Sequence, residues 1–468
     1  MDCGGILQDA DADTDISDSN IRCRLVITLI FILLALETGG HIIPGPMLRI
    51  IDGIVCDRYW RVHGPEQIPP DGPMPERLCN LTAVQTEVAQ VKGYSDMLEG
   101  LLSTLCATPY GYIADRYGRR LSIRLTIPGF VLNGLITNCV LWFNNIFPVR
   151  GIWLASCSWI IGGGPTVAMA VIWTMLADLT TDSNRAVLFF RVGLASQAVA
   201  FVPSAGSSIF TTVDPWIPLL VGCGIILIGL AAAWGLPDTI SMDKGHESST
   251  DDNQVENDNE STISACSAKG ALLCEKFSSL VNPYLFIFTT ARLLSFLFSL
   301  TLYRVALGSS LFLTQYISTR FNLLLATAQF ISSLHSLATI PVFAFLLPYL
   351  TNRTLALLPP SKRDLCMARY SILCLSLGCI GIGLSPVPSL VVLSLCIHAL
   401  GAEFPLAARS LVTALSVGSV VGSAVATNVF RAGLGLDKGK GGGGTGLVYV
   451  LSGVVFGVVG GILCFVEV

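Results

Sequence analysis

Stretches without a formal charge dominate this chain: residues 125–149, 151–177, 192–213, 215–237, 305–319, 321–352, 370–402, 410–430 and 441–466. A helix needs about 20 apolar residues to cross the hydrocarbon core of a bilayer, where each backbone polar group must find its partner within the protein. Runs of this length predict an all-α membrane protein. Several hold two helices, and with the runs Leu25 to Arg49 and Met97 to Ala114 they accommodate twelve transmembrane helices. Only 13% of the 468 residues are charged, against roughly 25% in soluble domains. A soluble enzyme and a nucleic-acid-binding protein are both excluded on that ground.

The net charge of −4 gathers in two places, the first residues (Asp2, Asp9, Asp11, Asp13, Asp15, Asp18) and the segment from Asp238 to Glu275. Both have the polar, acidic composition of solvated, disordered chain. No cleavable signal peptide is evident, because the first apolar run starts only at Leu25, so helix 1 itself is expected to direct insertion. Most of the 15 cysteines, such as Cys139, Cys223, Cys374 and Cys396, lie inside apolar runs, where they serve as small packing residues. No C-x-x-C pair suggests a metal, and no metal or cofactor is expected.

Short loops rich in Lys and Arg mark the cytoplasmic side. Arg116, Arg119, Arg120 and Arg124 follow helix 2, Arg185 and Arg191 follow helix 4, and Arg353, Lys362, Arg363 and Arg369 follow helix 8. By parity these loops share one face. Both termini and the acidic segment then fall in the cytosol, and the plasma membrane is the expected location.

The acidic segment divides the helices six and six. The expected organisation is a cytoplasmic tail over 1–24, a six-helix lobe over 25–237, a disordered linker over 238–280 and a second six-helix lobe over 281–468. Two lobes that rock about a central site suit a transporter. Residues 51–96 form a long proline-rich loop on the outer side. It holds Cys56 and Cys79, which an oxidising compartment would allow to bond, though spacing alone leaves the pairing open. Asn80-Leu81-Thr82 is an N-glycosylation acceptor.

One decapeptide, GYIADRYGRR at 111–120, concentrates charge where helix 2 gives way to helix 3. Gly111 and Gly118 permit close approach and a tight turn, Asp115 can cap or pair at a helix end, and Arg116, Arg119 and Arg120 hold the loop in the cytosol. On chemistry alone this is a topology anchor.

The same residues also match the pattern G-x-x-x-D-R-x-G-R-[RK] of the major facilitator superfamily. Ala177-Asp178 with Arg185 after helix 4, and GLPDT at 235–239, add to the likeness. PMLRIIDGIVCDRYW, LCNLTAVQTEVA, IIGGGPTVAMA, QYISTRF and RDLCMARYS resemble fungal members distantly similar to animal proton-coupled folate carriers. The resemblance covers nearly the whole chain and implies the major facilitator fold, alternating access, and a latch between helices 2 and 11 at Asp115 and Arg116. Two features depart from it. Residues 388–430 must supply two spans of about 20 residues each and a loop, which leaves almost no turn near Thr413. The glycine-rich antiporter pattern of helix 5 is incomplete, with Val202 standing before Pro203 and Gly206 where a glycine is expected.

Ionisable side chains within a bilayer are costly and mark candidate sites. Glu37 lies well inside helix 1, and His41 follows one turn later on the same face; together they could take up and release a proton, or tie two helices. Arg304 in helix 7 could meet an anionic substrate or Glu37, or pack between lobes. Glu403 in helix 10 is a further proton candidate. His335 and His398 are read as helix-contact histidines. Of Trp142, Trp153, Trp159 and Trp173, some anchor the interface and some could stack on a flat substrate.

No phosphate-cradling G-x-x-x-x-G-K-[ST], no H-E-x-x-H and no G-x-S-x-G occurs, so neither ATP-driven transport nor an enzyme is expected. The leading expectation is a monomeric secondary transporter, embedded in the lipid bilayer, that exports a hydrophobic metabolite or toxin in exchange for protons. Proton-coupled uptake is the first alternative. A transporter-like solute sensor is the second.

Overall fold

The computed structural model describes residues 16–67, 74–179, 182–235, 298, 301–346, 349, 360–401, 425–434 and 445–465. The acidic linker, Glu403 and the join near Thr413 lie outside them. Among the described residues the secondary structure is helical throughout, with no strand.

The first half comprises α1 (Ile16–Ile42), α2 (Pro44–His63), the short α3 (Glu76–Cys79), α4 (Thr82–Tyr117), α5 (Arg119–Trp142), α6 (Ile152–Ser156), α7 (Trp159–Gly162), α8 (Gly164–Asp178), α9 (Asp182–Thr211) and α10 (Trp216–Ala232). The second half comprises α11 (301–307), α12 (Leu313–Phe321), α13 (Leu325–Pro341), α14 (Pro360–Leu384), α15 (Pro388–Ala399), α16 (425–434) and α17 (Leu447–Phe465). Among the described residues seven helices are long and apolar enough to cross a membrane.

α1 and α2 make one continuous rod. Ile43 N–H donates to Gly39 O and Met47 N–H to Ile43 O, each at 3.1 Å, so the ladder bridges the junction. Pro44 sits at the start of α2, where its missing N–H costs nothing. The rod over Cys23–His63 has 41 residues. At 1.5 Å per residue it measures about 60 Å, twice the hydrocarbon thickness. α4 is 36 residues long. Residues 51–96, expected as a loop, are therefore largely helix. The sequence reading stopped both helices where charges began, whereas charged residues here continue the helix beyond the apolar core or face a cavity inside it.

Small residues set the helix spacing within the first half. Gly129 of α5 and Gly162 of α7 meet backbone to backbone, and a Cβ on Gly162 would lie 3.0 Å from Thr126 O. Such contacts are a common way for membrane helices to approach closely. Gly163 and Gly164 follow with φ of 70° and 83°. Only glycine adopts such angles without strain, and the pair breaks the helix between α7 and α8.

The first half has its core around Leu29, Ile32, Leu33, Ile172 and Leu176. In the second half Tyr316, Phe430 and Tyr449 are buried together. Their hydroxyls are satisfied, Tyr316 donating to Ile382 O at 2.9 Å and Tyr449 to Ser309 O at 3.1 Å. Ala89 of α4 packs into this second core, and α13 packs along α9, where Gln329 Nε2–H donates to Ser204 O at 3.3 Å, so the halves meet through both contacts.

Candidate functional site

A cavity of about 710 Å³ lies among α1, α2, α4, α5, α6, α7, α8 and α10, with Leu311 reaching it from the second half. That volume is in the range of small-molecule sites. Its wall is apolar for the most part, with charge confined to two helices. α1 contributes Glu37; α4 contributes Lys92, Asp96 and Glu99. The α4 spacing, with Ser95, is i, i+3, i+4 and i+7, which places all four on one helical face.

Neighbouring side chains fix that face. Trp153 Nε1–H donates to Val91 O at 3.0 Å and stacks edge-on against Tyr94, which holds α6 to α4. Lys92 Nζ donates to Asp96 Oδ2 at 3.0 Å. Trp159, 3% exposed, lies edge-on to Phe130 with ring centres 4.9 Å apart. On α5, Asn133 Nδ2–H donates to Ala155 O at 3.0 Å.

Glu37 accepts a hydrogen bond from the Ser196 hydroxyl of α9. His41, one turn later on α1, is exposed and does not line the cavity. Arg304 is half-buried in α11 beside Tyr303 and lies away from the cavity. Among the described residues it makes no ion pair, and its Nε is buried without a hydrogen-bond partner. Expected pairing of Arg304 with Glu37 is therefore absent. His335 of α13 and His398 of α15 bond ring to ring at 3.0 Å, a contact between two helices of the second half.

At one end of the bundle a buried polar network crosses between the halves. Arg49 of α2 meets Glu76 at 2.5 Å and Asp52 at 3.7 Å. Gln85 Nε2–H donates to Asp52 Oδ1 at 2.8 Å, and Gln315 Nε2–H of α12 donates to Gln85 Oε1 at 2.9 Å. The Leu325 N–H donates to Glu76 Oε2 at 3.0 Å. Cys56 and Cys79 are disulfide-bonded beside this network, with Cα atoms 5.3 Å apart. Asn80 Nδ2, the atom that would carry a glycan, instead donates to Thr319 O at 3.3 Å and to the Asn322 side chain. In this arrangement the half-buried acceptor expected from Asn80-Leu81-Thr82 contacts the second half through its side-chain amide.

The opposite end carries the decapeptide. Arg119 forms an ion pair with Asp178, the last residue of α8, and donates to Thr174 O at 3.2 Å. Arg124 donates to Trp234 O at 2.6 Å, its guanidinium 5.5 Å from the centre of that ring. Both arginines thus cap carbonyl-rich helix ends, where positive charge is favoured. Arg116 donates from its guanidinium to the Tyr112 hydroxyl, which raises its pKa further. Arg120 is half-buried, Gly111 is open to its surroundings, and Gly118 takes φ 94° at the turn into α5. Asp115 is exposed, and among the described residues it and Arg116 have no partner in the second half.

The sequence reading missed Lys92, Asp96, Glu99 and the crossing from Gln85 to Gln315. The i, i+4, i+7 spacing from Lys92 was a usable signal; the Gln85–Gln315 contact had none.

No family model matches the chain. An MFS-type transporter, aprT of Aspergillus flavus, is 36% identical over 429 residues, 88% of this chain and 82% of the relative. The MFS efflux pump atnC of Emericella nidulans is 28% identical over 455 residues, covering 92% and 85%. Among solved structures, the human organic anion transporter MFSD10 superposes with a TM-score of 0.57 at 16% identity, covering 94% of this chain and 99% of that one. The xylose transporter XylE of E. coli, in a partially occluded inward-open conformation, gives 0.58 at 14% identity, covering 95% and 98%. With an apolar helical body, a charged cavity within it, and a transporter relative matched over most of its length, the chain belongs to the major facilitator superfamily: it is a multi-pass membrane transporter and not an enzyme.

Proposed function

We propose that the chain is a proton-coupled exporter of a hydrophobic small organic molecule, working as a monomer in the plasma membrane. The observation that carries this reading is the cavity, an apolar chamber whose charged lining, among the described residues, comes from Glu37, Lys92, Asp96 and Glu99. The apolar wall suits a hydrophobic solute, and carboxylates at bilayer depth supply exchangeable proton sites. Relatives named efflux pumps support the outward direction. The likeness of its motifs to proton-coupled carriers supports the coupling ion.

The arginine-rich end is cytoplasmic by the positive-inside rule, and the disulfide suits the oxidising side. The Gln85–Gln315 crossing then closes the outer end of the bundle. Outward opening would break that crossing and engage Asp115 with the second half. Alternating access follows from exchange of these two closures.

The test compares small molecules inside cells and in their medium with and without this gene, at rest and after a protonophore. A compound that accumulates inside on deletion, and equally with the protonophore, is the expected result. One left unconsumed in the medium would instead make the chain an importer.

A further inference from the structure

We propose that the cavity selects amphiphilic organic amines, with the protonated nitrogen held by Glu99 and Asp96 and the apolar body lying against Phe130, Trp159 and the leucines of α5 and α10. This rests on the exporter reading and names its substrate class.

Charge is the first reason. Among the described residues three carboxylates, on Glu37, Asp96 and Glu99, share the lining with one ammonium, on Lys92. That ammonium is engaged by Asp96. Glu37 has its Ser196 hydroxyl. Glu99 makes no ion pair among the described residues, although it lies on the same face of α4. An anion placed here would meet like charge, and with a neutral molecule the buried Glu99 would have to take up a proton in place of a counter-charge. A cation supplies that charge.

Unused hydrogen-bonding groups are the second. The indole N–H of Trp159 is buried beside the Glu99 carboxylate. Asn138 Nδ2–H donates to Gly134 O at 2.8 Å, which leaves its buried Oδ1 without a donor. Both residues line the cavity. Buried polar groups left unpaired are costly, so an acceptor without a donor on the chamber wall points to a ligand that brings one, as an ammonium does.

Shape is the third. Leu135, Leu220 and Leu227 line the cavity and are 63%, 54% and 45% exposed, so the α5 and α10 side of the chamber is apolar through to the outer surface of the bundle. An apolar tail can lie against these leucines while the charged head stays at α4. A small hydrated inorganic cation would leave this apolar space unfilled.

The experiment uses the full chain in nanodiscs of zwitterionic lipid and two fluorescent probes that differ in one group: dansylcadaverine, with a primary amine, and its N-acetylated neutral form. The wild type is expected to bind the amine at least about tenfold more tightly, the loss typical of removing one partner of a buried charge pair. Glu99→Gln should erase that preference, Glu99→Asp should keep most of it, and Glu87→Gln, which removes a carboxylate of α4 outside the cavity, should leave it unchanged. Equal binding of the two probes by the wild type, binding of neither, or an undiminished preference in Glu99→Gln overturns the proposal. If Glu99→Gln fails to fold, the wild-type comparison still decides, with Trp159→Phe expected to weaken amine binding. Preference for the amine without proton-driven movement in proteoliposomes would remove the exporter reading and leave the site; transport with equal binding of both probes would do the reverse.

Discussion

Gln315 donates its side-chain amide to both the backbone carbonyl and the side-chain oxygen of Gln85, each at 2.9 Å. Both residues are buried, and Gln85 passes the contact on to Asp52. One amide from α12 thereby closes a path that runs back to the long rod of α1 and α2.

Gln315→Ala leaves Gln85 Oε1 buried without its donor, at a cost of about 1–3 kcal/mol to the closed arrangement. That corresponds to a shift of roughly tenfold or more toward the state in which this end is open. Spin labels at Val62 and Leu324, both exposed, should report a short, narrow distance in the wild type and a broadened, longer one in the variant. An unchanged distribution would show that the crossing does not hold the end closed.

The Cys56–Cys79 bond spans a sequence separation of 23 residues. Loop-closure entropy for such a span predicts about 2–4 kcal/mol of stabilisation. Melting in detergent should therefore drop by several degrees in reductant, while a variant carrying both Cys56→Ser and Cys79→Ser melts at the lower temperature and ignores the reductant. A wild-type transition indifferent to reductant would contradict this.

Arg119 and Asp178 are 29% and 55% exposed, so their ion pair is screened by solvent. A double-mutant cycle of Arg119→Ala with Asp178→Asn should give a coupling below about 1 kcal/mol in thermal stability. Asp115→Asn, at an exposed carboxylate, should leave stability unchanged and slow exchange between states without altering which substrates compete. A pure loss of membrane insertion would make this region a topology anchor alone.

Glu37→Gln should abolish proton-driven flux in proteoliposomes while surface abundance in cells stays at the wild-type level. Ser196→Ala, which removes the hydroxyl donated to Glu37, should weaken flux without abolishing it. Flux that survives Glu37→Gln would take this residue out of coupling and leave the carboxylates of α4 to carry it.

The apolar body of this fold was legible because membrane crossing demands long uncharged runs. The run over 125–149 became most of α5, and the decapeptide fell at the junction of α4 and α5, as its glycines and charges implied. The polar chemistry was harder to read. Lys92 and Asp96 belong to a helix that turns charge inward, and a reading that ends each span at its first charge assigns them to the loop outside. Contacts such as Gln85 with Gln315, Glu37 with Ser196 and His335 with His398 join residues far apart in sequence. Helix rotation decides them, and periodicity in membrane helices that are apolar all round does not fix rotation.

Asn80 meets the second half through Thr319 and Asn322, residues synthesised long after it. During biogenesis its acceptor side chain stands open until those residues arrive and dock. A glycan attached in that interval would be too bulky for the contact, so sugar at Asn80 would tag chains whose halves failed to come together. Whether the mature chain carries sugar at Asn80 would therefore report which came first, attachment or docking of the halves.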